Sequence, residues 1–115
     1  MKSIVVTAGL MIMLTITGFA QSRLDSVKIR TSAQCEMCKE RIEEALSFEQ
    51  GIKSAELDLG TKIVTVYYKS SKTDPEKIRK AILKTGYDAD DLEADRKAYK
   101  KLPACCKKPD DRVTF

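Results

Sequence analysis

The stretch SVKIRTSAQCEMCKERIEEAL, residues 26–46, changes its hydrophobic period in mid-course. Val27, Ile29 and Thr31 alternate with Lys28 and Arg30, which predicts a half-buried strand over residues 26–31. A polar loop, Ser32 to Gln34, leads to Cys35-Glu36-Met37-Cys38. From Cys38 the apolar spacing becomes i, i+4, i+7 and i+8 through Ile42, Ala45 and Leu46. That is one face of a helix, with Lys39, Glu40, Glu43 and Glu44 turned to water and Gln50-Gly51 at its end. Two cysteines therefore straddle a strand-to-helix junction, Cys35 in the loop and Cys38 near the first turn.

Downstream, Ala55, Leu57 and Leu59 alternate with Ser54, Glu56 and Asp58, and Val64, Val66 and Tyr68 alternate on a further strand. With a turn at Gly60-Thr61, residues 52–68 read as a hairpin. Asp74-Pro75 opens a second helix, Asp74 as N-cap and Pro75 at the first helical position. Ile78, Ala81, Ile82 and Thr85 form its inner stripe, and Gly86 ends it. Tyr87 to Leu92 supplies a short last strand. The order is βαββαβ. Two helices on one face of a four-stranded antiparallel sheet would bury every stripe, an α+β, ferredoxin-like sandwich. Beyond it, Asp95 caps a short helical extension with Ala98, Tyr99 and Leu102 on one side, stopped by Pro103.

The 115 residues allow one small domain, and with no His and no Trp several chemistries drop out. A Ser-His-Asp triad, a Cys-His dyad and a His-containing zinc site are all excluded. The net charge of +4 is spread thinly and does not indicate nucleic-acid binding. At the start, Lys2 precedes an uncharged run from Ile4 to Phe19, interrupted by Thr7, Thr15 and Thr17. Gly18 and Ala20 place small residues three positions and one position before a cut. This is the pattern of a secretory signal peptide over residues 1–20, cleaved after Ala20. The run is shorter than the roughly 20 apolar residues of a stable membrane span. The expected product is secreted or periplasmic, and not an integral membrane protein after cleavage.

Export changes how the four cysteines read, because outside the cytosol disulfides come first to mind. Spacing argues for other chemistry at Cys35 and Cys38. The open N–H groups of a helix start favour negative charge, and the thiolate is the metal-binding form. Lys39 and Arg41 add local positive charge. Two sulfurs three residues apart at a turn converge on one soft ion. A Cys-x-x-Cys also serves thioredoxins, usually as Cys-Gly-Pro-Cys in a different βαβ arrangement. Here Glu36-Met37 fills the gap and no Trp precedes it. A metal-binding protein, not an enzyme, is the favoured reading. A thiol–disulfide redox protein and a disulfide-stapled interaction module are the alternatives.

These residues resemble the heavy-metal-associated (HMA) domain family, of the copper-chaperone and periplasmic mercury-binding type. The resemblance runs from about Ser26 to Leu92. It rests on Cys35-x-x-Cys38 opening the first helix, Gly51-Ile52 before the second strand, the Leu57-Asp58-Leu59 hairpin arm, and Gly86-Tyr87 after the second helix. Where the family commonly has Gly-Met-Thr or Gly-Met-His before its first cysteine, this chain has Ser32-Ala33-Gln34. The resemblance implies that Cys35 and Cys38 bind a soft ion, Cu(I) or Hg(II), with Tyr87 beside the metal loop as a non-ligand. Sulfur ligands alone fit Zn(II) and Cd(II) as well. The expected function is to sequester the ion or hand it on, with a membrane metal transporter or another metallochaperone as partner.

The resulting organisation is a leader at 1–20, a heavy-metal-associated domain at 21–94 and an extension at 95–115 that carries Cys105-Cys106. Adjacent cysteines rarely bond to each other, because the small ring strains the peptide between them. Each could ligate a metal or cross-link to Cys35 or Cys38. The apolar side of the extension implies docking on the domain. If it docks at the metal loop, the site has up to four sulfurs; if elsewhere, the pair has a separate role. Lys100, Lys101, Lys107 and Lys108 read most simply as solvated charges.

Overall fold

The computed structural model describes residues 23–111, so the leader expected at 1–20 lies outside the described residues. Strand β1 (Leu24–Arg30) leads into helix α1 (Glu36–Ser47). The hairpin strands are β2 (Ile52–Asp58) and β3 (Ile63–Lys69), followed by α2 (Pro75–Thr85) and a short α3 (Arg96–Lys100). Single 3₁₀ turns follow at Ala104–Cys106 and Pro109–Asp111. The sheet order is β1-β3-β2, with both pairings antiparallel.

Register explains why these strands bury one face. Val64 stands opposite Ile29 on one side and Leu57 on the other, and Val66 stands between Val27 and Ala55. Ile29, Leu57, Val64 and Val66 are fully buried, whereas the intervening Lys28, Glu56 and Asp58 are exposed. Period-two alternation thus delivers a single apolar surface. Cys38, Ile42 and Leu46 of α1 and Ile78, Ala81 and Ile82 of α2 close over it in one continuous core. The α+β fold expected from the sequence is the observed one.

The ends of α2 follow their local chemistry. The Asp74 carboxylate accepts from the Lys77 N–H at 2.9 Å, and Pro75 holds the first helical position. Gly86 closes the helix in the left-handed region, at φ 105. Asp74→Ala is expected to cost about 1 kcal/mol, within the usual range of about 0.5–2 for a lost cap. Urea unfolding checks this: the midpoint should fall with an unchanged slope. Helix α1 differs slightly from expectation. It ends at Ser47, with Phe48 as cap, and Gly51 at φ 88 turns the chain into β2.

The fourth strand expected at Tyr87–Leu92 is reduced to isolated bridges, Thr31 to Ala89 and Ala89 to Leu92. The reason is Asp90. Its N–H donates to the Arg30 carbonyl at 2.8 Å, as a strand residue would, but its carboxylate accepts the Arg30 N–H at 3.0 Å. A side chain has taken the place of a ladder carbonyl. Asp90 also sits at φ 53 and pairs with Arg79 at 2.8 Å, so the segment turns instead of extending. Arg79, and the donated Arg30 N–H, outweigh partial burial and hold the Asp90 carboxyl below its ordinary pKa.

Candidate metal centre

The site begins at the β1–α1 loop. Thr31 donates its hydroxyl to the Lys62 carbonyl at 2.9 Å and accepts the Ala33 N–H at 3.2 Å. The Ser32 hydroxyl accepts the Asp88 N–H at 2.9 Å, which ties the loop to the segment after α2. Ala33 is completely buried. This pinned loop delivers Cys35 as the N-cap of α1, in extended backbone and with no side-chain cap hydrogen bond. Cys38 follows in the first turn, fully buried on the inner face. The two Sγ atoms lie 3.3 Å apart, well beyond the about 2.05 Å of a disulfide.

The extension comes back to this loop. The Asp95 N–H donates to the Leu83 carbonyl at 3.1 Å, and the Asp95 carboxylate caps α3 by accepting from Lys97 and Ala98. Leu102 is buried in the common core. Pro103 then starts the 3₁₀ turn that carries both remaining cysteines. The Tyr99 hydroxyl accepts the Lys108 N–H at 2.9 Å and donates to Asp111. The Lys108 ammonium meets the Asp88 carboxylate at 2.7 Å. Lys108 is therefore an anchor and not the solvated charge that its lysine-rich setting suggests. Tyr99 combines packing with this hydrogen bond.

As a result, Cys105 Sγ lies 3.5 Å and Cys106 Sγ 3.8 Å from Cys35 Sγ, with 4.0 Å between the two tail sulfurs. The sulfurs of Cys35, Cys105 and Cys106 all fall within 4.8 Å of one another. Cys106 is buried and Cys105 exposed. Of the two placements open in the sequence, the extension takes the one at the metal loop.

The sulfurs differ in their hold on protons. Burial alone would raise the Cys35 thiol, but the nearby Cys38 backbone and the neighbouring thiols of Cys38, Cys105 and Cys106 bring it down to about 7. Cys106 is pushed up to about 12, first by burial and then by the Cys38 thiol. The cluster therefore offers one sulfur ready as thiolate and one that gives up its proton only to a strongly bound ion. Tyr87 is fully buried, and its hydroxyl makes no hydrogen bond of normal geometry. Burial, then the neighbouring Cys106 and Cys38 side chains, push its pKa far upward, so it stays neutral. It lies beside the Cys38 and Cys106 sulfurs on the core side.

Sequence reasoning missed Ser32, Asp88, Asp111 and the anchoring role of Lys108. Polar residues paired across 56 or 20 positions leave no periodic trace. Among the described residues, no helix is long and apolar enough to cross a membrane.

Comparison with known proteins agrees with this geometry. The family model of the heavy-metal-associated domain matches residues 32–88, a span that includes Cys35, Cys38 and Tyr87. The copper chaperone CopZ of Staphylococcus epidermidis is 41% identical over 54 residues, covering 47% of this chain and 79% of that protein. Its counterpart from Staphylococcus haemolyticus is 37% identical over the same extent. Among solved structures, a CopZ metallochaperone superimposes with a TM-score of 0.54 at 30% identity, covering 56% of this chain and 98% of that one. Oxidized MerP from Ralstonia metallidurans CH34 shares the fold, with a TM-score of 0.57 at 22% identity over 59% of this chain and 96% of that one. The chain belongs to the heavy-metal-associated domain family. Cys105 and Cys106 lie beyond the matched span.

Proposed function

We propose that this chain is an exported binding protein, not an enzyme, that captures one soft metal ion through the thiolates of Cys35 and Cys38 and sequesters it or hands it on. The observation that carries this reading is the pair of sulfurs 3.3 Å apart at the start of α1 in a heavy-metal-associated fold. No side chain caps that helix end, so its first-turn N–H groups favour charge on the sulfurs. Cu(I) is the preferred ion, in keeping with the copper chaperones among the relatives. Hg(II), Zn(II) and Cd(II) suit the same sulfur donors.

The ion is cargo. It moves by ligand exchange, in which an incoming thiolate or thioether adds before an original sulfur leaves. The partner is then a membrane metal transporter or another metallochaperone. Residues 21–94 form the metal domain and residues 95–115 the extension. The leader is removed after Ala20, leaving Gln21 at the start of a secreted or periplasmic protein.

Anaerobic titration with Cu(I) against a chromophoric chelator tests the binding. One tightly held ion per chain is expected, and mass spectrometry of the native protein should show a chain that begins at Gln21. Four oxidised cysteines and no bound metal in protein isolated without reductant would instead support the disulfide-stapled alternative. Reversible two-electron oxidation unaffected by Cu(I) would support the redox one.

A further inference from the structure

Three features make the extension more than packing. It is fastened on both sides of its cysteines, by Leu102 in the core and by the Lys108–Asp88 and Tyr99–Asp111 contacts. Cys105 is exposed and adds nothing to the core, yet its sulfur sits 3.5 Å from Cys35. The sulfur separations also approach those of a site with more than two sulfurs. With metal–sulfur bonds of about 2.3 Å, sulfurs stand about 4.6 Å apart in a linear pair, about 4.0 Å in a trigonal set and about 3.8 Å in a tetrahedral one. The separations here are 3.3, 3.5, 3.8 and 4.0 Å. The three that involve the tail bring Cys35, Cys105 and Cys106 close to the trigonal and tetrahedral values, a mutually close set that Cys38 adjoins through Cys35 without belonging to it.

We propose that Cys105 and Cys106 complete a closed, sulfur-only site with Cys35 and Cys38, which holds one soft ion at three or four sulfurs until a partner thiolate displaces Cys105. This rests on the metal-binding reading above and specifies its site. Cys105 is the outward sulfur because it alone of the four is exposed. In the exchange, a bond forms between the ion and the partner's thiolate, the bond to Cys105 breaks, and the released thiolate takes a proton from water. No electron is transferred. Cys106, buried and held by its turn, stays on the ion with Cys35 and Cys38 until the partner brings a second ligand. The extension thus biases the protein toward retention, with release dependent on a ligand-rich partner.

The test uses the full chain loaded with one equivalent of Cu(I). X-ray absorption gives the number of sulfurs bound, and chelator competition gives retention. Wild type should show three or four sulfurs. Cys105→Ser, which touches only an exposed position, and Cys106→Ala should each remove one. The double variant should weaken retention about 10⁴-fold, as expected when two tethered ligands are lost. A wild-type ion with only two sulfurs, or a double variant that keeps both the sulfur number and the retention, overturns the proposal and leaves the Cys35–Cys38 reading standing. A wild-type chain that takes up no Cu(I) overturns both.

Discussion

Cys35→Ser is expected to lose tight Cu(I) binding while folding at least as well as wild type. Cys35 occupies the N-cap of α1 and caps nothing with its side chain. Serine is among the best N-cap residues, so the substitution adds a hydrogen bond worth about 0.5–1 kcal/mol. The ion loses a sulfur. Structural zinc sites hold their ion with about 10–16 kcal/mol over four ligands, or roughly 10²- to 10³-fold in affinity per ligand. Cys38→Ser should lose as much affinity, but it also buries a hydroxyl where a thiol was fully enclosed. That costs about 1–3 kcal/mol of stability. The pair of variants therefore separates binding from folding: affinity falls in both, and stability falls only in Cys38→Ser. Chelator competition and urea unfolding read the two quantities. Wild-type affinity in both variants would remove these residues from the site.

Gly86→Val should be the most damaging single change away from the sulfurs. The residue sits at φ 105, where a non-glycine side chain costs about 1–2 kcal/mol. Its added Cβ would also lie 3.0 Å from the Ala98 carbonyl oxygen and 3.2 Å from Leu102 Cδ2. The first of these is backbone, so α3 has to move, at about 1–3 kcal/mol for the overpacking. Together about 2–5 kcal/mol is expected in urea unfolding. The displacement acts on function too, because α3 and Leu102 lead directly into the turn that carries Cys105 and Cys106. The folded fraction of Gly86→Val should retain Cu(I) no better than the variant lacking both tail cysteines. Retention at the wild-type level would show that α3 docking does not position the tail.

Much of this architecture is legible in the sequence because short-range rules fix it. Val27 and Ile29, Leu57, and Val64 and Val66 declare their strands by alternation, and Ile42 and Leu46 declare the inner face of α1. Asp74-Pro75 and Gly86 mark the ends of α2, and Asp95 and Pro103 bracket α3. Cys35 and Cys38 are prominent by spacing alone. What escaped depends on partners distant in the chain. Asp90 reads as a strand residue until Arg30 and Arg79 are seen to engage its carboxylate. The sequence leaves the docking of Cys105 and Cys106 open. Their position is decided by Lys108 reaching Asp88, by Tyr99 bonding across its own turn and by Leu102 lying against Gly86. None of these has a period, and a lysine in a basic run looks solvated until its acid is found.

The central claim is that a soft ion is held by cysteine sulfur at the start of α1. Metal-edge X-ray absorption on the wild-type chain, reconstituted with one equivalent of Cu(I) and freed of excess, tests it most directly. A first shell of sulfur alone at full loading, lost in the Cys35→Ser, Cys38→Ser double variant, is the predicted result. A wild-type shell containing nitrogen or oxygen, or a sulfur shell that survives at full loading in that double variant, would contradict it.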